Sequence, residues 1–220
     1  MPPPPPDTPL PELPARAFAK ADRSRDALFY AEPRFVTHID EGAVAAVTGL
    51  YRDLFPPGGA VLDLMSSWVS HLPGEVEYAE VVGHGMNAEE LAANPRLARW
   101  FVRDLNAEPT LAPEVADDSL DAAGCCASVQ YLQRPVEVFR EVARGLRPGA
   151  PFAVTFSDRC FPTKAVAVWG ALDGPGRCAL VSLYLERAGF AGVEARALRP
   201  ERRGWGAPDP LYAVVGRSAA

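Results

Sequence analysis

From about residue 40 onward, short runs of β-branched and apolar residues alternate with segments in which apolar residues recur every three or four positions. Asp40 is placed to cap a helix whose apolar face is Val44, Val47, Leu50, Tyr51 and Leu54, and Pro56-Pro57-Gly58-Gly59 ends it. Ala60 to Leu64 then reads as a short buried strand, followed by strands across 76–83, 100–102, 120–126 and 152–156. Between them, Asn87 with Glu90 three positions on resembles a capping box, opening a helix that Asn94-Pro95 stops. Pro135 suits the first turn of a helix with Val136, Phe139, Val142, Ala143 and Leu146 on one stripe, closed by Arg147-Pro148-Gly149. Helices over 162–172 and 178–188, with Gly189 as C-cap, and strands near 193–198 and 211–215 complete the pattern. Such alternation predicts an α/β fold, a mostly parallel sheet covered by helices on both faces. Only loop separates the last two strands, so one of them is expected to run antiparallel. Ligands of such sheets lie beyond the carboxyl ends of the strands, near the point where strand order reverses, which directs attention to the residues after Leu64, Gly83, Val102, Cys126 and Phe156.

The remaining composition narrows the function. With 28 acidic and 22 basic side chains the formal charge is −6, and no basic run resembles a nucleic-acid footprint. No apolar stretch approaches the roughly 20 residues needed to span a bilayer, and residues 1–13 lack the basic start and apolar core of a signal peptide. The expectation is a cytoplasmic protein with a small-molecule substrate and neither nucleic acid nor membrane as partner. Four cysteines, two of them the neighbours Cys125 and Cys126, make neither a disulfide framework nor a C-x-x-C metal pair. Pro2 to Pro6, Pro9, Pro11 and Pro14 favour polyproline II or disorder, so residues 1–14 are expected to be a proline-rich tail, 15–40 a cap or lid segment, and 41–220 the domain proper.

The succession Val61-Leu62-Asp63-Leu64, Val81-Val82-Gly83, Val102-Arg103-Asp104-Leu105, Asp118-Ser119-Leu120-Asp121 and Val142-Ala143-Arg144-Gly145-Leu146-Arg147-Pro148-Gly149 resembles the class I S-adenosylmethionine-dependent methyltransferases, in particular their type 11 small-molecule branch. The resemblance covers roughly residues 41 to 216, and the helix ending in Leu-Arg-Pro-Gly before a strand is its most specific signal. It implies a seven-stranded Rossmann-like sheet with an antiparallel last strand, S-adenosylmethionine as cofactor over the carboxyl ends of the first four strands, and methyl transfer to an oxygen, nitrogen or sulfur of a small molecule. A non-catalytic binding or scaffold protein on the same fold is the alternative.

Onto this chain the resemblance carries cofactor contacts at Asp63, Met65, Ser66, Ser67, Gly83, Gly85, Met86, Asn87, Asp104, Leu105, Asn106 and Ser128. Two departures stand out. The glycine-rich loop of the family is here Met65-Ser66-Ser67-Trp68-Val69-Ser70-His71, whose serine hydroxyls could donate to the cofactor's carboxylate. The acidic residue that clamps the ribose is replaced by Gly85, leaving Asn87 as a substitute acceptor or simply as the helix cap. Asp104 stands where the family binds the adenine amino group, or it makes an Asx-turn. The absence of G-x-G-x-x-G argues against NAD or FAD.

A hydroxyl or amine acceptor needs a base within hydrogen-bond reach. His38 and His71 are the candidates, each equally readable as a structural hydrogen-bonder, with His84 inside a strand end. Asp40 could orient His38 or serve only as the helix cap. Tyr131 reads as a wall of the passage to the substrate or as a core aromatic; Phe29, Tyr30 and Phe35 as a lid or a helix on the sheet edge. After the fifth strand, Arg159 could grip a substrate carboxylate or pair with Asp158; Cys160, Lys164 and Trp169 complete that cluster.

Overall fold

The computed structural model describes residues 10–201 and 207–219. Seven strands form one sheet: β1 (Ala60–Leu64), β2 (Glu80–Gly85), β3 (Arg99–Val102), β4 (Ala122–Cys126), β5 (Pro151–Phe156), β6 (Ala191–Arg199) and β7 (Leu211–Arg217), in the order β3-β2-β1-β4-β5-β7-β6. The first five run parallel, and β7 pairs antiparallel with both β5 and β6, as expected. The order reverses between β1 and β4, so a crevice opens beyond their carboxyl ends.

Alternating side chains divide the core into two layers. On one face, helix α1 (Glu41–Leu54) lays Val47, Leu50 and Tyr51 against Val61, Val81, Ala122 and Ala213. On the other, α3 (Pro135–Gly145) and α4 (Gly174–Ala188) pack Phe139, Val142, Val181 and Tyr184 on Leu62, Val82, Phe152 and Val154. The short helix α2 (Ala88–Ala93) links β2 to β3. Asp40 caps α1 by accepting from the Ala43 amide at 2.7 Å, Gly189 ends α4 with φ +96°, and Pro135 stands in the first turn of α3, all as expected.

Several expected boundaries move. The second strand begins at Glu80 rather than Val76, because its first ladder partner is Ala60 and the preceding residues turn about Pro73. The fourth begins at Ala122, while Leu120 makes only an isolated bridge to Leu146. The helix expected over 162–172 is a single turn, Ala167–Gly170, because the backbone before it is drawn to the N-terminal segment: Val166 bridges Lys20, and the Ala167 amide donates to the Ala19 carbonyl at 2.9 Å. The last long helix starts at Gly174, capped by Asp173, not at Cys178. The spacing from Asp63 to Gly85 allows a short helix after β1, yet residues 65–79 contain none. Nor does the expected tail run to residue 14: Leu10 is buried in the core, and a 3-10 turn at Ala15–Phe18 follows. Residues 1–9 lie outside the described residues.

Candidate functional site

A cavity of about 290 Å³ lies over the carboxyl ends of β1 to β4, floored by Asp63, Met65, Gly85, Asp104 and Ser128 and roofed by residues 26–39. Its polar frame starts at Asp63, buried on β1. The Ser66 hydroxyl donates to Oδ2 of Asp63 at 2.6 Å, and the Ser70 hydroxyl donates to the same oxygen. Burial outweighs these bonds and raises the Asp63 pKa. Met65 takes a left-handed conformation, φ +56°, where the family has glycine. The turn is held through its amide, which donates to Nδ1 of His84 at 3.2 Å; the Ser128 hydroxyl lies 3.1 Å from its carbonyl, with a shorter contact of 2.7 Å to the Cys126 carbonyl. His84 completes the tie through Nε2 to the Arg103 carbonyl at 2.9 Å, which requires the Nε2-protonated tautomer. Burial pushes its pKa down to about 4, so His84 is a neutral strut between β2, the loop after β1 and the end of β3.

The serine loop departs from expectation. A hydroxyl has one proton, and that of Ser66 is committed to Asp63 while that of Ser67 goes to Oε2 of Glu90 at 2.5 Å. Neither is left to donate to a cofactor carboxylate. Gly85 differs more deeply from the family's acid: a Cβ built there would meet the Ser66 carbonyl oxygen at 2.5 Å. Loop backbone, not vacant space, stands where an acidic side chain would begin. Asn87 is the helix cap, accepting from the Glu89 and Glu90 amides, and its amide nitrogen donates to the Tyr30 and Ala31 carbonyls, so it has nothing to offer a ribose. The capping box is not reciprocal, because Glu90 turns to Ser67 and to the Arg34 amide instead. Gly83 lies beneath Leu97, whose Cδ1 would be 2.3 Å from any Cβ there, and does not line the cavity; half-buried Met86 does.

At the third strand, Asp104 makes the Asx-turn, its Oδ1 accepting from the Asn106 amide at 3.0 Å. Its Oδ2 and the Leu105 amide carry no hydrogen bond among the described residues. Asn106 is fully used: it donates to Asp26 and to the Tyr131 carbonyl and accepts from the Gln133 amide. Its side chain ties roof to floor and is closed to a ligand.

The cavity's other end is aromatic. Tyr131 stacks on Phe161 at 6.0 Å, its oxygen accepts from the Phe161 amide, and burial drives its pKa up to about 12. His38 stands edge-on to Phe161 at 5.4 Å at the cavity mouth, and half-buried His71 faces the same space. Neither imidazole has a hydrogen-bond partner among the described residues. Partial desolvation lowers both pKa values, and the proximity of His38 lowers that of His71 further. Asp40 does not orient His38; its carboxylate is spent on Ala43, Arg199 and the Asp209 amide. Arg159 pairs with Asp209 at 2.7 Å rather than with Asp158. Cys160 lines the cavity, whereas Trp169 is core and Lys164 lies fully buried outside the cavity. Of the three aromatics ahead of α1, Tyr30 lines the cavity, Phe29 packs edge-on against Tyr30 and Phe161, and Phe35 packs on Trp68 at 6.3 Å.

Sequence reasoning missed three elements. Tyr51 reads as core by its helical spacing, yet its buried hydroxyl lines the cavity without a partner. Arg34 belongs to no pattern. Lys20, Asp26, Lys164 and Asp22 meet as a buried ion cluster beneath the lid, with Lys164 Nζ 3.3 Å from Asp26 and 3.1 Å from Asp22. The cluster joins two segments far apart in the chain, residues 20–26 and Lys164, and so leaves no local signal.

The sheet order, the antiparallel β7 and a cavity over the reversal point define the class I methyltransferase fold. A family model described as a methyltransferase domain matches residues 66–154. Among solved structures, a chain of the Haloferax volcanii complex that contains the Trm112 methyltransferase activator matches with TM-score 0.58 and 15% identity, covering 82% of this chain and 91% of that one. An S-adenosylmethionine-dependent methyltransferase from Mesorhizobium loti matches with TM-score 0.53 and 18% identity over 78% of this chain and 97% of that one. Haemonchus contortus phosphoethanolamine N-methyltransferase 2, solved with S-adenosyl-L-methionine, matches with TM-score 0.54 and 12% identity over 80% of this chain and 52% of that one. Among curated proteins no sequence matches. No helix among the described residues is long and apolar enough to cross a membrane.

The residues present fit S-adenosylmethionine at two of its three parts. Where the resemblance expects the adenine, an acceptor and a donor, Asp104 Oδ2 and the Leu105 amide, are free; where it expects the methionine part, Asp63 keeps its Oδ1 free and the Tyr51 hydroxyl is unpartnered. At the ribose, no carboxylate replaces the one that Gly85 lacks.

Proposed function

We propose that the protein transfers a methyl group from S-adenosylmethionine to a small-molecule nucleophile. The observation that carries this reading is one continuous cavity running from the free polar groups of Asp104 and Leu105 to the unpartnered imidazole of His38. Asp104 and the Leu105 amide would hold the adenine, Met86 would pack on it, and Asp63 would accept from the ammonium of the methionine part. When bound, the cofactor supplies an electrophilic methyl group on a sulfonium. This chain's own residues position the acceptor and keep water out: Phe161, Tyr131 and Tyr30 wall the far end, and the lid covers it. His38 takes the acceptor's proton at a ring nitrogen. Because desolvation lowers its pKa from 6.5, it is neutral at pH 7 and able to accept. His71 and Tyr131 line the path, with the Tyr131 proton held by its raised pKa, which suits a donor of hydrogen bonds and not a base.

Calorimetric titration tests the reading. S-adenosylmethionine and S-adenosylhomocysteine should bind and NAD should not; ligand at 100 times its Kd should add about 2.7 kcal/mol to unfolding. Absence of binding by both at millimolar concentration would leave a non-catalytic use of the fold.

A further inference from the structure

The aromatic end of the cavity has the composition of a cage for a cationic acceptor: Tyr30 and Phe161 line it, and Phe29 packs edge-on against both from behind. That space is taken. The Arg34 guanidinium lies 4.7 Å from the Phe29 ring centre, 5.5 Å from Phe161 and 5.9 Å from Tyr30. Its polar contacts are two carbonyls, those of Phe29 at 2.8 Å and Glu32 at 3.4 Å, and no carboxylate pairs with it among the described residues. Glu90 is the near acid, but it accepts from the Arg34 backbone amide and the Ser67 hydroxyl rather than from the guanidinium. The other arginines of the cavity are compensated: Arg103 by Glu114 and Glu108, Arg159 by Asp209. Of the remaining acids, Asp26 is neutralised by Lys20 and Lys164, and Asp63 and Asp104 sit at the cofactor end.

A half-buried guanidinium without a counter-ion, its planar face stacked and its edge still carrying free N–H groups, is a receptor for an anion and repels a second cation. We propose that the acceptor is a small, flat, apolar acid, and that Arg34 selects it by binding its anionic group while Phe161 stacks on its body. The proposal rests on the methyltransferase reading above and deepens it. His38 stands against the same Phe161 ring as Arg34, so anion and reacting group flank one aromatic surface.

The test compares probes of one shape and opposite charge. Protein loaded with S-adenosylhomocysteine is titrated calorimetrically with benzoate and with benzyltrimethylammonium, and the free protein likewise. Benzoate should bind at least tenfold more tightly, roughly the discrimination one charge-assisted contact supplies. Arg34→Gln, which keeps the backbone amide on Glu90, should abolish that preference while the affinity for S-adenosylhomocysteine and the melting temperature hold. Arg34→Lys should restore part of it and serves if the glutamine variant fails to fold. Equal or tighter binding of the cation, no binding of either probe, or a preference that survives Arg34→Gln would overturn the proposal. Failure of S-adenosylhomocysteine to bind would instead sink the methyltransferase reading, and the titrations of free protein would still report on Arg34.

Discussion

The floor and the roof of the cavity are held in different ways. The floor consists of the ends of four parallel strands joined by ladder hydrogen bonds, of which β1, β2 and β4 lie between two apolar layers; the strand residues Leu62, Leu64, Val82, Ala123 and Cys125 are all fully buried. The roof, residues 26–39, and the segment from residue 10 that leads into it have two single helical turns, and polar ties carry the roof: the buried cluster of Lys20, Asp26 and Lys164, the Asn106 link from Asp26 to the floor, and Asn87 donating to the Tyr30 and Ala31 carbonyls. Apolar burial tolerates small changes gradually, whereas a buried charge is stable only while its partners are present. The roof is therefore where single substitutions should act most sharply.

The largest effect is expected at Asp26. Replacing it with alanine strands the buried ammonium group of Lys20 and leaves Lys164 with Asp22 and Ser24 alone, and should cost about 3–5 kcal/mol in urea unfolding. The same cluster sets a pH dependence. Burial opposes ionisation of Asp26, but Lys20, Asn106 and Lys164 outweigh it and the net pKa falls below 3.8. Its contribution is thus fully present above 3.8 and is lost as pH falls through the lowered native value. Stability that is unchanged in Asp26→Ala would mean that the roof is held by its apolar contacts after all.

Next comes Leu10, among the described residues the only fully buried apolar anchor ahead of the Ala15–Phe18 turn. Leu10→Ala should cost about 2–4 kcal/mol, and deleting residues 1–9 should cost nothing measurable by thermal melting. Equal effects of the two changes would place the anchor elsewhere.

The same contrast explains what could be read from the sequence. Strand β1, helix α3 and the Gly189 cap are written in local spacing, because period-2 and period-3.6 patterns and cap residues report burial directly. The order of motifs at the strand ends led to Asp63 and Asp104, and the search for a base led to His38; all three line one cavity. What was not legible depends on distant partners. Asn106 matches an adenine-binding position, yet Asp26 and Gln133 consume its amide. Lys164 sits in an apparently helical stretch whose backbone is instead drawn to Ala19 and Lys20. Gly85 shows the limit most clearly: a missing acid reads as a lost function, whereas the Ser66 carbonyl pressing on that site explains why glycine is there.

Gly85→Asp sharpens this point about the floor. Restoring the family's acid should not restore a ribose clamp. Its Cβ meets loop backbone rather than a flexible side chain, so the substitution should cost about 1–3 kcal/mol and weaken S-adenosylhomocysteine binding. Tighter binding in a stable Gly85→Asp variant would show that the loop after β1 gives way.

The smallest effect separates ligand contact from support on the floor itself. Asp104 has two oxygens with different duties: Oδ1 holds the Asx-turn through the Asn106 amide, and Oδ2 is free toward the cavity. Asp104→Asn keeps an oxygen for the turn and replaces the free acceptor with a donor, while Asp104→Ala removes both. If the free oxygen receives the adenine amino group, each variant should lose one charge-assisted bond, about 1.5–3 kcal/mol or roughly tenfold or more in S-adenosylhomocysteine affinity. Only the alanine variant should also lose stability, by about 1 kcal/mol for the broken turn, because the asparagine oxygen still accepts from the amide of residue 106. Calorimetry and urea unfolding on the pair read the two duties separately. Affinity that falls only in the alanine variant, in step with its stability, would assign Asp104 to the scaffold and move the adenine elsewhere in the cavity.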